Sequence, residues 1–136
     1  MSYQLLFKKS FFYDSTQTGI TIPISLSLSG KQVLLNAKID TGASCCIFER
    51  KYAQALDIEI ESGIAQIIST ATGTFNAYGH DVTMSVLDYD FDTTIYFAAL
   101  ENFNRNVLGR MGWLDRVKLG IIDYDSTLYL SHYNDD

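Results

Sequence analysis

The sequence is short of the residues that stiffen or cross-link a chain. It has a single proline among 136 residues, and its two cysteines, Cys45 and Cys46, are adjacent. Neighbouring cysteines close no useful loop, and disulfide geometry strains so short a link, so a disulfide framework is excluded. Apolar residues make up 47% of the chain, which is enough to bury a core. We therefore expect one domain over residues 1–136, with its core at about 20–132 and residues 1–19 as an N-terminal extension or strand.

Positive charge is also scarce. Ten Lys and Arg residues stand against 16 Asp and Glu residues, which gives a net charge of −6. The negative electrostatic potential that results repels a polyanion, and the basic residues do not cluster along the sequence. We therefore expect no nucleic-acid partner. His80 and His132 stand apart from each other and from the cysteines, which leaves no metal-ligand spacing. We expect no metal and no other cofactor, and we expect both cysteines to behave as small apolar residues.

Long apolar runs are missing as well. No stretch approaches the roughly 20 apolar residues that a membrane helix needs, so no membrane partner is expected. Met1 to Phe12 lacks the apolar segment of a secretory signal, and Lys8-Lys9 follows the apolar residues instead of preceding them. The expected location is the cytoplasm, with a bacterial export route left open.

What the sequence has in abundance is alternation at period two. Ile20 to Ser29 places Ile and Leu on one face and Thr or Ser on the other, and Gln32 to Ile39 follows after a turn at Ser29-Gly30-Lys31. Further strands are predicted at 58–60, 64–70, 75–87, 91–99, 117–123 and 127–131, with a bend or bulge at Gly79, and short helices at 48–56 and 111–116. The predicted fold class is mainly β with one or two short helices.

Strand pattern and site chemistry coincide at Asp40-Thr41-Gly42. Asp40 falls where the second strand ends, and a carboxylate buried there is costly unless something shares or binds its charge. Gly42 permits a positive φ or a close backbone approach, and the Thr41 hydroxyl can lock the loop by hydrogen bonding. A lone Asp-Thr-Gly is most simply a surface turn.

Three features of the surrounding sequence favour a site over a surface turn. The flanks at 37–39 and 46–48 are apolar enough to bury the ends of the loop. A second apolar run ends in Val107-Leu108-Gly109, about 70 residues downstream. Between the two runs lies a predicted hairpin whose tip is built of small residues.

Taken together, these elements resemble the retropepsins, the single-domain aspartic proteases of retroviruses, which have relatives in bacteria and eukaryotes. The resemblance covers roughly residues 24–130 and implies a closed, folded β-barrel with a flap hairpin. By position it implies Asp40 as the catalytic carboxylate; Thr41, Gly42, Ala43 and Ser44 as the active-site loop; Thr70, Ala71, Thr72, Gly73 and Thr74 as the flap and substrate-binding tip; and Val107, Leu108, Gly109 and Arg110 as structural support.

The sequence departs from the viral pattern at Ser44. The viral enzymes often have a second aspartate at this position, paired with the arginine that follows the downstream glycine. Here the corresponding arginine is Arg110, which we expect to find another partner in Asp115 or the C-terminal segment.

The resemblance also implies a homodimer. Aspartic protease chemistry needs two carboxylates that share one proton, and this chain offers one suitable aspartate. The sequence therefore predicts an aspartic endopeptidase in which two Asp40 carboxylates, facing each other across a two-fold axis, activate a water that cleaves a peptide or protein substrate. The alternatives are a catalytically weak or inactive retropepsin-like domain for dimerisation or peptide binding, and a generic β-barrel binding module.

Overall fold

The computed structural model describes residues 1–135, which form ten strands, one α-helix and three 3₁₀ turns. The strands are β1 (Lys9–Phe12), β2 (Thr21–Leu28), β3 (Lys31–Ile39), β4 (Ile47–Phe48), β5 (Ile64–Thr70), β6 (Gly73–Val86), β7 (Tyr89–Ala98), β8 (Val107–Leu108), β9 (Val117–Ile122) and β10 (Thr127–His132). The helix α1 spans Arg50–Ala55, and the 3₁₀ turns span Ile60–Ser62, Leu114–Arg116 and Asp123–Asp125. The prediction of a mainly β fold is confirmed.

Seven strands form one sheet that closes on itself. Their order is β2-β3-β8-β4-β7-β6-β5, and β2 pairs a second time with β6, from Ile24 opposite Val86 to Ser27 opposite Thr83. The predicted hairpin of β2 and β3 is present, with antiparallel register throughout. Because β3 and β8 run parallel, the ends of both strands reach the same edge of the sheet, where Asp40 and Gly109 follow them.

The core is built by the period-two alternation. Ile22, Ile24 and Leu26 of β2 are buried, and the residues between them face outward or sit at the rim. They pack with buried residues of β6 and β7 and with Trp113, which is fully buried. A fully buried side chain of this kind contributes about 1.5–3 kcal/mol relative to an exposed one. The closed sheet is thus a rigid support for the loops at its edge.

A smaller sheet joins the two ends of the described chain. Its order is β1-β10-β9, with both pairs antiparallel. Tyr13 fastens the segment after β1 to the turn between β9 and β10, because its backbone N–H donates to the Ser126 carbonyl at 2.9 Å and its hydroxyl donates to Asp123 Oδ1 at 2.5 Å. The N-terminal residues therefore contribute a strand in their own chain.

The predicted strand at 58–60 is wrong. Asp57 has a φ of +56°, and Ile58 N–H is bonded back to the Ala53 carbonyl at the end of α1. Ile60 then begins a 3₁₀ turn, in which Gly63 N–H donates to the Ile60 carbonyl at 3.1 Å. Three alternating residues between a helix and a strand are too few to show which of these structures they form.

Both predicted helices are shorter than expected. Ile47 and Phe48 pair with β7 as strand β4, so the first helix begins only at Arg50. In the second, only Leu114–Arg116 is helical, because Gly112 has a φ of +99°, in the left-handed region.

Gly79 lies in an unbroken strand instead of at the predicted bulge. The pairing of β6 with β5 and with β7 keeps one register through this position. A Cβ at Gly79 would lie 2.9 Å from the ring of Tyr96. The glycine therefore makes room for an aromatic ring on the neighbouring strand.

No helix within residues 1–135 has the length and apolar character needed to cross a membrane.

Candidate active site

Asp40 directly follows β3, and its loop is defined by backbone hydrogen bonds. Asp40 N–H donates to the Leu108 carbonyl at 3.0 Å, and Ala43 N–H donates back to the Asp40 carbonyl at 3.1 Å. Gly42 N–H donates to Asp40 Oδ1 at 2.9 Å. The Asp40 carboxylate is exposed, so it does not carry the desolvation cost of a buried charge. The loop thus presents an oriented carboxylate to solvent.

Gly109 lets the segment after β8 pack tightly behind this loop. Arg110 N–H donates to the Ala43 carbonyl and Met111 N–H to the Ser44 carbonyl, both at 2.9 Å. A Cβ on Gly109 would lie 2.2 Å from the Cys45 carbonyl oxygen and 2.9 Å from that of Ala43. No side chain fits between these backbones, so glycine is required for the close approach.

The two cysteines are buried beneath the loop. Gly109 N–H donates to Cys46 Sγ at 3.4 Å, and the Cys46 thiol lies 3.8 Å from the Met111 carbonyl oxygen. Burial raises the pKa of Cys46 to about 12, and burial also raises the pKa of Cys45. A thiol kept protonated in this way is a poor nucleophile, which agrees with the prediction that both cysteines act as small apolar residues.

The hairpin of β5 and β6 stands over the same edge of the sheet. Thr70 pairs with Gly73 across a turn at Ala71-Thr72, and the Thr70 hydroxyl donates to the Gly73 carbonyl at 3.0 Å. The hairpin, the Asp40 loop and the segment before β8 enclose a cavity of about 530 Å³. Its lining is Asp40, Gly42, Ala43, Ser44, Cys45, Ile47, Gln66, Ile67, Ile68, Ser69, Thr70, Ala71, Phe75, Tyr96, Phe103, Arg105, Val107 and Met111. A cavity of this size and position can hold part of an extended chain against one carboxylate.

No protein-family model and no curated protein sequence matches the chain. Solved structures do match. The crystal structure of a retropepsin-like aspartic protease from Rickettsia conorii has a TM-score of 0.64 and 20% identity, over 90% of this chain and 97% of that one. The EIAV protease, in complex with the inhibitor HBY-793, has a TM-score of 0.54 and 18% identity, over 69% of this chain and 84% of that one. The chain has a retropepsin-like fold. The resemblance inferred from the Asp-Thr-Gly segment, the hairpin and the Val-Leu-Gly segment is confirmed at the level of fold.

Within this retropepsin-like fold, the predicted site residues divide into two groups. Asp40, Gly42, Ala43, Ser44, Thr70, Ala71 and Val107 line the cavity. Thr72, Gly73 and Thr74 lie in the turn and the first residues of β6, and Leu108 and Gly109 are buried behind the loop. Thr41 is exposed, and within residues 1–135 its side chain makes no hydrogen bond. The sequence segments therefore meet at one edge of the fold, but only part of each faces the cavity.

The predicted ion pair of Arg110 is wrong for the described residues. Arg110 is exposed and forms no salt bridge within residues 1–135. Its contact with Asp115 runs through the backbone, since Asp115 N–H donates to the Arg110 carbonyl at 2.9 Å. The Asp115 carboxylate instead accepts the Gly112 N–H at 3.1 Å, which stabilises the turn.

Eleven of the 18 residues that line the cavity were not predicted as site residues from the sequence, among them Phe75, Phe103 and Arg105. Phe75 of β6 contacts Phe103, with ring centroids 4.8 Å apart, and Arg105 lies two residues beyond Phe103. Phe103 and Arg105 belong to the connection between β7 and β8, where no periodic pattern indicates the direction of a side chain. The only signal was an aromatic and a basic residue shortly before the Val-Leu-Gly segment.

A second, more open groove of about 940 Å³ lies beside the β2–β3 turn and β7. Although larger, it does not contain Asp40. Its carboxylates are already bonded within the sheet, since the Thr83 hydroxyl donates to Asp92 at 2.8 Å and the Thr94 hydroxyl donates to Asp81. The smaller cavity, which contains Asp40, is therefore the candidate active site. Among the described residues, no group of three or more His, Cys, Asp or Glu side chains is placed to hold a metal ion.

Proposed function

We propose that the protein is an aspartic endopeptidase whose active site is completed by a second copy of the chain. The observation that carries the proposal is the Asp40 carboxylate, which is exposed on a loop fixed from behind and lines a cavity under a hairpin. One carboxylate cannot act as both acid and base in the same step. A two-fold axis beside the loop would bring two together.

The proposed mechanism uses one proton shared between two Asp40 carboxylates. Like charges at a few ångströms cannot both ionise easily, so one carboxylate is ionised and the other protonated. The ionised group takes a proton from a bound water while the protonated group polarises the scissile carbonyl. The water adds to the carbonyl carbon and gives a tetrahedral intermediate. The carboxylate that took the proton from the water then gives it to the amide nitrogen as the C–N bond breaks, so no covalent bond to the protein forms. The bond from Gly42 N–H holds each carboxylate in orientation.

The edge of the large sheet favours an extended peptide as substrate. β5 is the last strand of that sheet and carries unpaired backbone groups along one side. An extended chain can bond to such an edge while alternate side chains enter the cavity. We propose that the hairpin of β5 and β6 acts as the flap over this substrate.

Exposed apolar residues support self-association. Met1, Tyr3, Leu5 and Leu6 are exposed and lead into β1, an edge strand of the small sheet. Ile121 and Ile122 are partly exposed on β9, which forms the other edge. Exposed apolar side chains next to open strand edges are typical of a surface that a second subunit covers.

The first prediction is that Asp40→Asn abolishes peptide cleavage while leaving the fold intact. An amide cannot take the proton from the water, so we expect kcat/KM to fall by at least about a hundredfold. The measurement is a peptide-library digest between about pH 4 and 7, with and without a statine-type inhibitor. Asp125→Asn is the matched control, because Asp125 is exposed and precedes a serine but lies outside the cavity. Retained turnover in Asp40→Asn would exclude this mechanism.

The second prediction is that the monomer is inactive. Activity per chain should fall on dilution in step with the dimer fraction, measured by analytical ultracentrifugation at the same concentrations. A specific activity that stays constant when only monomer is present would refute the shared site, whatever the effect of Asp40→Asn.

A further inference from the structure

Arg105 is the one cation among the described residues that line the Asp40 cavity. The only other charged residue in the lining is Asp40 itself, and most of the remainder are apolar or small. Arg105 is exposed, and within residues 1–135 it forms neither a salt bridge nor a side-chain hydrogen bond. By contrast, Lys31 and Arg50 are paired with Asp57 and Glu61. The guanidinium of Arg105 is therefore available to a ligand.

The backbone on both sides of Arg105 is fixed. On one side, Phe103 packs against Phe75 of the hairpin. On the other, the Asn106 amide donates to Glu49 Oε1 at 2.7 Å, and Asn106 Oδ1 accepts the Glu49 N–H at 3.0 Å. The Asn106 carbonyl also accepts the Lys38 N–H at 2.8 Å. Because the backbone is already ordered, binding of a ligand to Arg105 costs only the conformational entropy of its side chain. Arg105 is therefore well placed to select a ligand.

We propose that Arg105 recognises a carboxylate on the bound peptide, so that favoured substrates carry an acidic side chain or a chain-terminal carboxylate close to the cleaved bond. This rests on the proposed function of the Asp40 site. A guanidinium binds a carboxylate through two parallel hydrogen bonds, which fixes the position of the acidic group as well as its charge. Phe75, Phe103 and Val107 line the same cavity and can contact apolar side chains of the peptide, beside polar groups such as Gln66 and Ser69. The preferred sequence thus carries one acidic group close to apolar residues.

Arg105 has one competing use. It lines a second, smaller cavity together with Asp40 and Lys38. If Arg105 served to adjust the ionisation of Asp40, its removal would move the pH profile of cleavage for every peptide alike. If it selects substrates, its removal would change the ranking of peptides and leave the profile for neutral peptides in place.

The experiment compares the wild type with Arg105→Gln, Arg105→Lys and Arg105→Glu in a mass-spectrometric digest of a proteome-derived peptide library. Lys31→Gln is the control, since it removes the same unit charge at the exposed β2–β3 turn, outside the Asp40 cavity. A second library with amidated C-termini separates side-chain carboxylates from terminal ones. Peptides retained by the immobilised proteins are sequenced in parallel, which gives a binding readout independent of cleavage.

We expect wild type and Lys31→Gln to enrich Asp and Glu over Asn and Gln by about tenfold at one position near the cleaved bond. Enrichment should vanish in Arg105→Gln, be partial in Arg105→Lys, which lacks the planar fork, and turn to Lys and Arg in Arg105→Glu. In the wild type it should also decline below about pH 4, where the peptide carboxylates become protonated. Cleavage close to the C-terminus that is lost on amidation and in Arg105→Gln identifies the terminal carboxylate as the ligand.

Cleavage with neither acidic enrichment nor a loss on amidation, or either effect unchanged in Arg105→Gln, would overturn the inference and leave the endopeptidase proposal standing. A uniform shift of the pH profile in Arg105→Gln would overturn it in favour of the role on Asp40. If neither the wild type nor any variant cleaves a peptide, the endopeptidase proposal fails. The peptides retained by the immobilised wild type and Arg105 variants then show whether Arg105 recognises a carboxylate.

Discussion

Gly109 and Asp40 show what a few residues determine at this edge of the fold. The backbone of Gly109 passes so close to the carbonyls of Ala43 and Cys45 that the Asp40 loop is held from behind. The strand pattern, together with the Asp-Thr-Gly and Val-Leu-Gly segments, was sufficient to predict that Gly109 and the Asp40 loop lie close together. It was not sufficient for Arg105 and Phe103, because the direction of a side chain in an irregular connection depends on contacts that no local pattern contains. The Arg110 pairing failed for a similar reason, since Asp115 is occupied by its own turn.

The prediction at this scale concerns Gly109→Ala. The added methyl group must displace the backbone of the Asp40 loop, so we expect the free energy of unfolding to fall by about 1–3 kcal/mol and peptide cleavage to be lost. Gly30→Ala is the control, because Gly30 has a φ of +81° but no atom within 4 Å of an added Cβ. It should lose about 1–2 kcal/mol through backbone strain and keep its activity. Denaturant unfolding and peptide cleavage measure both effects; an active Gly109→Ala would contradict the tight-packing argument.

Among the secondary-structure elements, the hairpin of β5 and β6 contacts the connection between β7 and β8 through one aromatic pair, Phe75 and Phe103. Period-two alternation located both of its strands, and the small residues at 69–74 located its turn. The sequence did not indicate that Phe75 would reach the connection between β7 and β8, because these residues are 28 positions apart. Phe75 and Phe103 are both partly buried, so their contact affects the hairpin more than the core.

We predict that Phe75→Ala and Phe103→Ala loosen the hairpin without unfolding the protein. Aromatic pairs contribute about 0.5–1.5 kcal/mol beyond their buried area, so a double-mutant cycle on the two residues should give a coupling of that size. Hydrogen exchange should become faster for amides of residues 64–76 and stay slow in β2 and β3. Phe97→Ala is the contrasting variant, since Phe97 is fully buried and its loss should destabilise the whole protein by about 3–5 kcal/mol. No coupling, or exchange that rises everywhere, would show that the pair does not act on the hairpin alone.

For the whole molecule, the period-two alternation predicted a mainly β fold, and the resemblance to the retropepsins implied that it closes, but neither indicated which strands pair. The return of β2 to β6 and the parallel pairing of β3 with β8 join residues far apart in the chain, and many registers satisfy the same alternation. The pairing of β1 with β10 was not predicted from the sequence either, because residues 9–12 form only a short strand, which a long irregular connection follows. Tyr13, buried at the end of β1, is the residue that fastens this sheet together.

Tyr13 makes the stability of the molecule sensitive to alkaline pH. Its hydrogen bond to Asp123 favours the protonated phenol, and this bond, followed by burial, raises the pKa of Tyr13 to about 12. The unfolded chain releases this proton near the ordinary value of about 10. The contribution of Tyr13 is therefore fully present below about pH 10 and is lost as the pH rises from about 10 to 12.

We predict that Tyr13→Phe removes this alkaline step. Denaturant midpoints followed from neutral to alkaline pH should show the decline in the wild type and less of it in the variant, with phenolate absorbance reporting the titration directly. Tyr124→Phe is the control, because Tyr124 is 97% exposed in the same turn region and makes no side-chain hydrogen bond within residues 1–135. An unchanged alkaline decline in Tyr13→Phe would mean that another group causes it.

Strand β6 belongs both to the closed sheet and to the hairpin over the cavity. Its two parts therefore differ in how firmly they are held. From Ala77 to Val86 it is pinned by β7, whereas from Gly73 to Asn76 its only partner in the sheet is β5. This outer part of the hairpin is a two-stranded ribbon that projects from the closed sheet. A movement of this part about Ala77 would leave the pairing of β6 with β7 intact but would separate Phe75 from Phe103 and break the bond from Ala99 N–H to the Asn76 carbonyl. Under the proposed function, admission of a bulky chain therefore costs these two contacts and no strand pairing of the closed sheet.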